Sequence, residues 1–498
     1  MKKLLLSLIM VLVLTACGAN TTSTETAPPQ NMLEEIQQRG ELIVGTSPDY
    51  APFEFIDPSK LGQDQYVGAD IDLAQQIADD LGVKLTVKAM NFDDIPTAVK
   101  ERKFDIGLSG FTYTDDRAKV IQFSEPYDNS ESLCQGFLVR SDNTFTSLDD
   151  FNNATVTVQN GSVQQQYTEQ QLPGANVRFV TALEDGALEL KAGKTDAVAV
   201  SCKSGEGFLA NNPELKLSDT LFAVSDAIGT MVIMPLGEPE LLEAVNTSII
   251  AVKDAGLYTQ WLSDAKALSA QVGELGAAKP NVFTLLGAYG NVFWQGTLGT
   301  IWLSLIVVFF GTIGGAVLAL AKMSKFKPLQ WFATAYIELI RGTPILLQLY
   351  LFVFGGAQFF PNGISDQMWV IFALIFNSSA YVAEIFRAGI QAVDKGQFEA
   401  AKSLGLSDRN MMIKVIMPQA VKNILPALGN EFITMIKETS LASIFFINSL
   451  MTSQSIVSAA THMKLEALMI VGVIYFILTF SLSKVVQYFE KKGQTNHD

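Results

Sequence analysis

The chain has 498 residues, a formal net charge of −15 and a mean hydropathy of +0.26. At 49% hydrophobic and 17% charged it is too apolar for an ordinary soluble protein and too charged for a bare membrane bundle. Residues 1–277 carry 19 basic and 39 acidic side chains, whereas residues 278–498 carry 16 and 11, so the acidic first half excludes nucleic-acid binding driven by phosphate attraction. Two histidines and three cysteines leave no material for a zinc or iron–sulfur site, and no metal or resident cofactor is expected.

Residues 1–17 join a basic start, Lys2-Lys3, to the apolar run Leu4–Leu14 and then to Thr15-Ala16-Cys17, the layout of a secretory signal. The run is shorter than the roughly 20 residues of a membrane span. Leu14-Thr15-Ala16-Cys17 resembles a lipobox, which would acylate Cys17 and make it the new N-terminus; an uncleaved signal anchor is the alternative. Residues 18–32, rich in Thr, Ser, Pro and Gln, read as a flexible tether. The acidic half is then exported.

From Glu41 short β-rich runs alternate with helical patterns. Leu42–Gly45, Leu85–Lys88 and Phe104–Leu108 read as strands, with helices at Asp72–Leu81 and Ile95–Lys100 between them. The alternation recurs from Ala154 to Val200. It predicts mostly parallel sheets flanked by helices. Two such units hold a ligand between the carboxyl ends of their strands.

Four strings make this specific: Gly45-Thr-Ser-Pro-Asp-Tyr-Ala-Pro-Phe-Glu-Phe55, Gly68-Ala-Asp-Ile-Asp-Leu73, Gly110-Phe-Thr-Tyr-Thr-Asp-Asp-Arg117 and Phe123-Ser-Glu-Pro-Tyr127. In that order they resemble the periplasmic-type amino-acid-binding proteins, over about residues 33–268, ending in Asp254–Leu262. The resemblance implies a two-lobed type II α/β domain, with lobe 1 at about 33–132 and 225–268 and lobe 2 at about 133–224. It also implies a site. Arg117 would fork onto the ligand carboxylate with Thr112 beside it; on the residues alone, an ion pair with Asp115 or Asp116 is the competing role. Ser162, in Gln159-Asn-Gly-Ser162, would close from lobe 2, Tyr50 and Phe92 would clamp the ligand, and Gly110 would offer its carbonyl to the ammonium. Ser47 and Ser201 stand where the family usually has aspartates, the second of which pairs with the ammonium. Glu54, Glu206 or a ligand lacking that group would have to compensate. Cys134 and Cys202, both in the exported half, would form a disulfide or remain two buried thiols.

Residues 269–290 read as a linker. Beyond it, apolar runs at Gly296–Ala321, Ile345–Phe360, Trp369–Phe386, Phe432–Leu450 and Leu468–Val486 predict five membrane spans, the fourth containing Lys437 and Glu438. Basic residues follow spans one, three and five, which puts the C-terminal tail, 491–498, inside. Gly311-x-x-x-Gly315 reads as a helix-packing face. Glu338, Arg341, Glu384, Lys437 and Glu438 lie in or beside spans, as a pathway or as structural pairs.

Gly396-Gln-Phe-Glu-Ala-Ala-Lys-Ser-Leu-Gly-Leu406 and Val415-Ile-Met-Pro-Gln-Ala420 resemble the EAA loop of ABC importer permeases. The loop spans 394–420 in a permease region of about 291–490. The resemblance implies the type I importer fold and a coupling helix at Glu399-Ala400-Ala401, with Gly405 turning the chain and Pro418 ending the helix. No Gly-x-x-x-x-Gly-Lys-Ser/Thr string occurs, so ATP would be bound by a partner ATPase dimer. Five spans imply a second permease, identical or a sister chain. The reading is an importer of a polar or basic amino acid, of the glutamine, arginine, lysine or histidine class. A ligand-gated channel or sensor on the same binding fold is the alternative. A channel would interrupt the lobes with its pore and need a filter such as Thr-Val-Gly-Tyr-Gly, whereas the lobes run uninterrupted to Leu268 and no such string occurs. A sensor would need a signalling domain, and only about ten residues follow the last apolar run.

Overall fold

The computed structural model describes residues 30–60, 62–128, 134–209, 211–224, 229–273, 281–356 and 365–494. The signal, Cys17 and most of the tether lie outside the described residues.

The first half opens with α1 (Met32–Arg39), N-capped by Asn31, and strand β1 (Glu41–Thr46). A small antiparallel sheet follows, β2 (Asp49–Tyr50), β3 (Glu54–Ile56) and β4 (Tyr66–Val67). Then come α2 (Ala69–Leu81), β5 (Lys84–Ala89), α3 (Ile95–Lys100), β6 (Ile106–Gly107), α4 (Asp115–Ala118) and β7 (Ile121–Phe123). Lobe 2 contains β8 (Gln135–Arg140), β9 (Thr155–Gln159), α5 (Val163–Gln171), β10 (Asn176–Val180), α6 (Leu183–Lys191), β11 (Ala197–Ser201), α7 (Cys202–Leu209) and β12 (Leu215–Leu221). The chain returns to lobe 1 through β13 (Ile233–Pro235), α8 (Pro239–Asp254) and α9 (Leu257–Gly273).

Two five-stranded sheets result, in the orders β5-β1-β6-β13-β7 and β10-β9-β11-β8-β12. β1 pairs parallel to β5 and β6, and β9 parallel to β10 and β11. The strands that enter by crossing between lobes, β13 and β8, pair antiparallel instead. Alternation alone could not reveal this, because pairing direction depends on which lobe the chain has just left. Each sheet buries Val, Ile, Leu and Phe on both faces, as helix-covered parallel strands must.

Helix α9 continues through residues 269–273, and α10 (Val282–Lys322) already begins at 282, so helix occupies both ends of the stretch that reads as linker. The cause is local: the Asn281 side chain accepts from Phe283 N and Thr284 N, and Thr284 caps back. The second half continues with α11 (Lys327–Arg341), α12 (Ile345–Tyr350) and its extension Leu351–Gly355, α13 (Asp366–Gln391), α14 (Lys395–Ser403), α15 (Asp408–Met411), α16 (Met417–Glu438), α17 (Leu450–Thr461) and α18 (Lys464–Gln494).

Among the described residues three helices are long and apolar enough to cross a membrane, and the number rises to five if each of two bent pairs is one span. One pair is α11 with the α12 segment, bent by 108° at Gly342-Thr343-Pro344. The other runs from Asp408 through Phe445 to α17, bent by 44°. Lys437 and Glu438 fall at the end of α16, where the helix tightens into the turn Thr439–Phe445. Gly311, Gly314 and Gly315 meet α13, where an added Cβ would lie 2.7 Å from Ser378 Oγ, 2.5 Å from Ser379 Oγ and 2.6 Å from Val382 Cγ1. Only a bare backbone allows that approach.

Candidate functional site

The carboxyl ends of β1, β6, β9 and β11 converge on one cleft between the lobes, lined by Asp49, Tyr50, Glu54, Phe92, Ser109, Gly110, Thr112 and Arg117 from lobe 1. Gln135, Gln159, Ser162, Val163, Gln164 and Leu183 line it from lobe 2, and Thr230 from the returning segment. The lobes are closed on each other. Tyr50 donates its hydroxyl to Ser201 Oγ at 2.9 Å, Arg117 donates Nη2 to Gly161 O at 2.5 Å, and Asn160 donates to Asp93 Oδ2 at 2.9 Å.

Arg117 sits on α4, which is capped by the Thr114 side chain. Its Nη1 donates to Thr112 O at 2.8 Å, and its guanidinium lies 5.5 Å from the Phe92 ring and 5.3 Å from Phe111. Those two rings stack at 4.8 Å, so Phe92 supports the guanidinium as well as lining the cleft. Arg117 makes no ion pair among the described residues, and withdrawal from water lowers its pKa to about 10. Asp116 pairs with Lys119 instead. The cleft therefore holds a cation supported only by carbonyls and rings.

Gly110 has φ +60, a conformation glycine adopts freely, and a Cβ there would stand 3.2 Å from Tyr50. Its N–H donates to Asp70 Oδ2 at 3.2 Å. Buried Asp70 also accepts from Tyr127 and Tyr258 at 2.7 Å each, tying the site to the segment after β7 and to α9.

Ser162 caps α5 by accepting from Gln165 N at 3.2 Å. Ser201 is buried and caps α7 by accepting from Ser204 N at 3.2 Å. At this position the hydroxyl serves the helix and Tyr50. Ser47 is buried too, and donates to Asp49 Oδ1 at 2.8 Å. Acid enters the cleft from Asp49 and Glu54, both on lobe 1. Burial pushes Asp49 up to about 6 against the bond from Ser47. Glu54 is fully buried and accepts from Ser109 Oγ at 2.6 Å. Glu206 pairs with Lys266 on the surface and is absent from the lining.

The motif strings contained Asp49 and Gln159 but gave neither a role. Gln135, Gln164, Leu183 and Thr230 lie in segments with no distinguishing local pattern. They reach the cleft because β8 lies beside β11, because α5 and α6 pack on β9 and β11, and because Thr230 bridges Thr112. Gln164 donates to Gln135 at 2.7 Å, giving lobe 2 an amide face where lobe 1 is charged. Cys134 and Cys202 form a disulfide with a Cα–Cα distance of 5.5 Å, just behind Ser201.

In the second half, α14 presents Glu399 and Ala400 to solvent and buries Ala401 against the cluster of Ile390, Met411, Ile416 and Ala420. Gly405 turns the chain at φ +75, and Leu404 is 80% exposed. Pro418 does not end a helix as the motif implies. It stands at the start of α16, directly after the wide turn Met412–Ile416, within one helical run that begins at Asp408.

The family description "bacterial extracellular solute-binding proteins, family 3" matches residues 42–264, and "binding-protein-dependent transport system inner membrane component" matches residues 311–493. The chain is 41% identical to an arginine transport system permease protein of Bacillus subtilis, over 41% of this chain and 92% of that protein. It is 42% identical to a putative glutamine transport system permease protein of Rickettsia bellii, over 40% and 91%. Among solved structures, an amino acid ABC transporter substrate-binding protein of Streptococcus pneumoniae bound to L-arginine is 36% identical. That match covers 48% of this chain and 98% of the other, with a TM-score of 0.45.

Proposed function

We propose a working cycle from one premise: the chain belongs to the inner membrane components of binding-protein-dependent transport systems, with a family 3 solute-binding half fused in front. It is an amino-acid ABC importer subunit and a membrane protein. The ligand is glutamine or arginine, the substrates named for the similar permeases.

Arg117 carries the reading. A guanidinium drawn into a cleft and held by carbonyls and rings, with no ion pair among the described residues, is matched by a ligand carboxylate, with Thr112 and the α5 N-terminus beside it. Asp49 and Glu54 take the role left by Ser47 and Ser201 and receive the ammonium. Tyr50 and Phe92 flank the ligand stem, Gly110 adds its carbonyl, and the Gln135, Gln159 and Gln164 amides read the side chain.

The binding half, about residues 33–268, works outside the cell, held by an acylated Cys17 and its tether as well as by fusion to the permease region, about 291–490. Fusion keeps receptor and pore at roughly millimolar effective concentration. The C-terminal tail lies inside. There α14, with Glu399 and Ala400 exposed and Leu404 projecting, enters a cleft on a separate ATPase, and a second permease copy completes the pore.

Titrating the full chain in lipid nanodiscs against the proteinogenic amino acids by calorimetry tests the capture role. Binding of one polar or basic amino acid is expected. No binding across the set would remove it.

A further inference from the structure

The binding half is seated on the permease half, and both lobes touch it. On lobe 1, Lys103 donates to Val353 O at 2.6 Å and lies 3.6 Å over the Phe354 ring. On lobe 2, α7 receives the turn between α17 and α18. Asn211 donates to Thr461 O at 2.9 Å, Asn212 donates to His462 O at 3.2 Å, and the His462 ring lies 4.1 Å from Phe208. His462 takes a left-handed φ of +54, and a Cβ on Gly207 would approach its Nε2 to 3.1 Å, so the turn is shaped to this seat.

Three carboxylates converge there. Lys464 forms an ion pair with Asp185, and Glu184 Oε1 lies 3.8 Å from His462 Nδ1. β2 packs against α17, which brings Asp49 to the same junction from lobe 1. Asp49 also lines the cleft, as does Leu183 beside Glu184. The cluster thus straddles the mouth of the ligand site, with Asp49 on one lobe and Glu184 and Asp185 on the other.

We propose that Lys464 and the cationic group of the bound amino acid are alternative counter-ions of the Asp49–Glu184–Asp185 cluster, so that seating the binding half on residues 461–464 drives the ligand off. This rests on the capture role proposed above. With Lys464 in place one carboxylate of the cluster is already answered, and burial, with the charge of Asp49 adding to it, pushes Glu184 up to about 8 and keeps it protonated, so less negative charge is left for a second cation. Coupling of this kind is reciprocal: the ligand weakens seating by the same factor by which seating weakens the ligand.

The test titrates the full chain in nanodiscs with L-glutamine and with L-arginine, as wild type, Lys464→Gln and Lys464→Arg. The Gln variant is expected to bind about tenfold more tightly, the Arg variant like wild type, and the gain should shrink as salt is added. Asn212→Ala loosens the seat without changing charge and should also tighten binding, which keeps the test open if Lys464→Gln does not fold. Unchanged or weaker binding in Lys464→Gln or in Asn212→Ala would overturn the competition. Loss of all amino-acid binding in the wild type itself would remove the capture role, and the proposal with it.

Discussion

Two charged clusters, one in each half, are built on opposite terms. Glu384 on α13 accepts from Lys322 at 2.7 Å and from Arg387 at 2.7 Å, with Arg341 at 3.9 Å and Glu338 completing the ring through Lys322. Every charge there is answered within the chain, and the network pins α10, α11 and α13 together. Arg117 is held by two carbonyls and two rings, and makes no ion pair among the described residues. A cluster whose cations are paired to carboxylates of the same chain fixes helices, whereas a cation answered by dipoles leaves its charge for something that arrives. The acidic residues at the seat lie between these cases, answered by a lysine from the other half.

Arg117→Met is the sharpest way to break the contrast. Amino-acid affinity should fall by about 100-fold or more, in line with the roughly 2–5 kcal/mol lost when one member of a desolvated charge pair is truncated. The ligand-free melting temperature should barely move, because the guanidinium has no ionic partner to lose. A collapse in melting temperature would make Arg117 a structural residue like Glu384. Glu384→Gln should do the reverse. It leaves Arg341 and Arg387 without their carboxylate and Lys322 with Glu338 alone, and should cost about 2–4 kcal/mol of stability, a little below the range for breaking fully buried pairs, with amino-acid affinity unchanged. Melting and calorimetry on the same preparation separate the two effects.

The smallest effect expected is a pH dependence at the seat. Burial, then the charge of Asp49, raises Glu184 from 4.5 to about 8, so the folded chain keeps a proton that the unfolded chain has lost. Unfolding then releases that proton, and stability falls as pH climbs from about 4.5 towards 8. Burial lowers His462 from 6.5 to about 4, which gives the opposite slope between those values. The two slopes offset up to about pH 6.5, and Glu184 alone carries the decline from there to about 8. Asp49, raised from 3.8 to about 6, adds a fall over that narrower window. Glu184→Gln should flatten the upper decline in a melting series against pH. A decline that persists in this variant would assign it to another group.

Much of the architecture was legible in the sequence because it is written in local periodicity. Strand–helix alternation marked two α/β units, and apolar runs marked five crossings. Gly311 and Gly315 announced close helix packing. The bent crossings were less legible: α11 is too amphipathic to read as part of a span, and the bend at Thr343-Pro344 is what joins it to α12. At the site, Arg117, Thr112, Gly110, Ser162 and Tyr50 lie in the motif strings and Phe92 was implied by the resemblance alone; all six line the cleft. Ser47 and Ser201 stand just behind it. The residues missed were those whose roles depend on what lies opposite, such as Asp49, Gln135 and Thr230.

The sequence by itself determined the order of the parts: an acidic α/β half, a bundle of apolar helices, and the loop carrying Glu399. It also showed that two customary aspartates are serines. Only the tertiary structure decided what those serines do. Ser201 is spent on capping α7 and on Tyr50, and Ser47 on holding Asp49, so acid reaches the cleft from lobe 1. It alone brought Lys464, more than 250 residues away along the chain, to Asp185 at the cleft mouth. The reason is physical. Periodicity and capping act over a few residues and can be read along the chain, whereas the partner of a charge is whatever folding places within a few ångströms of it.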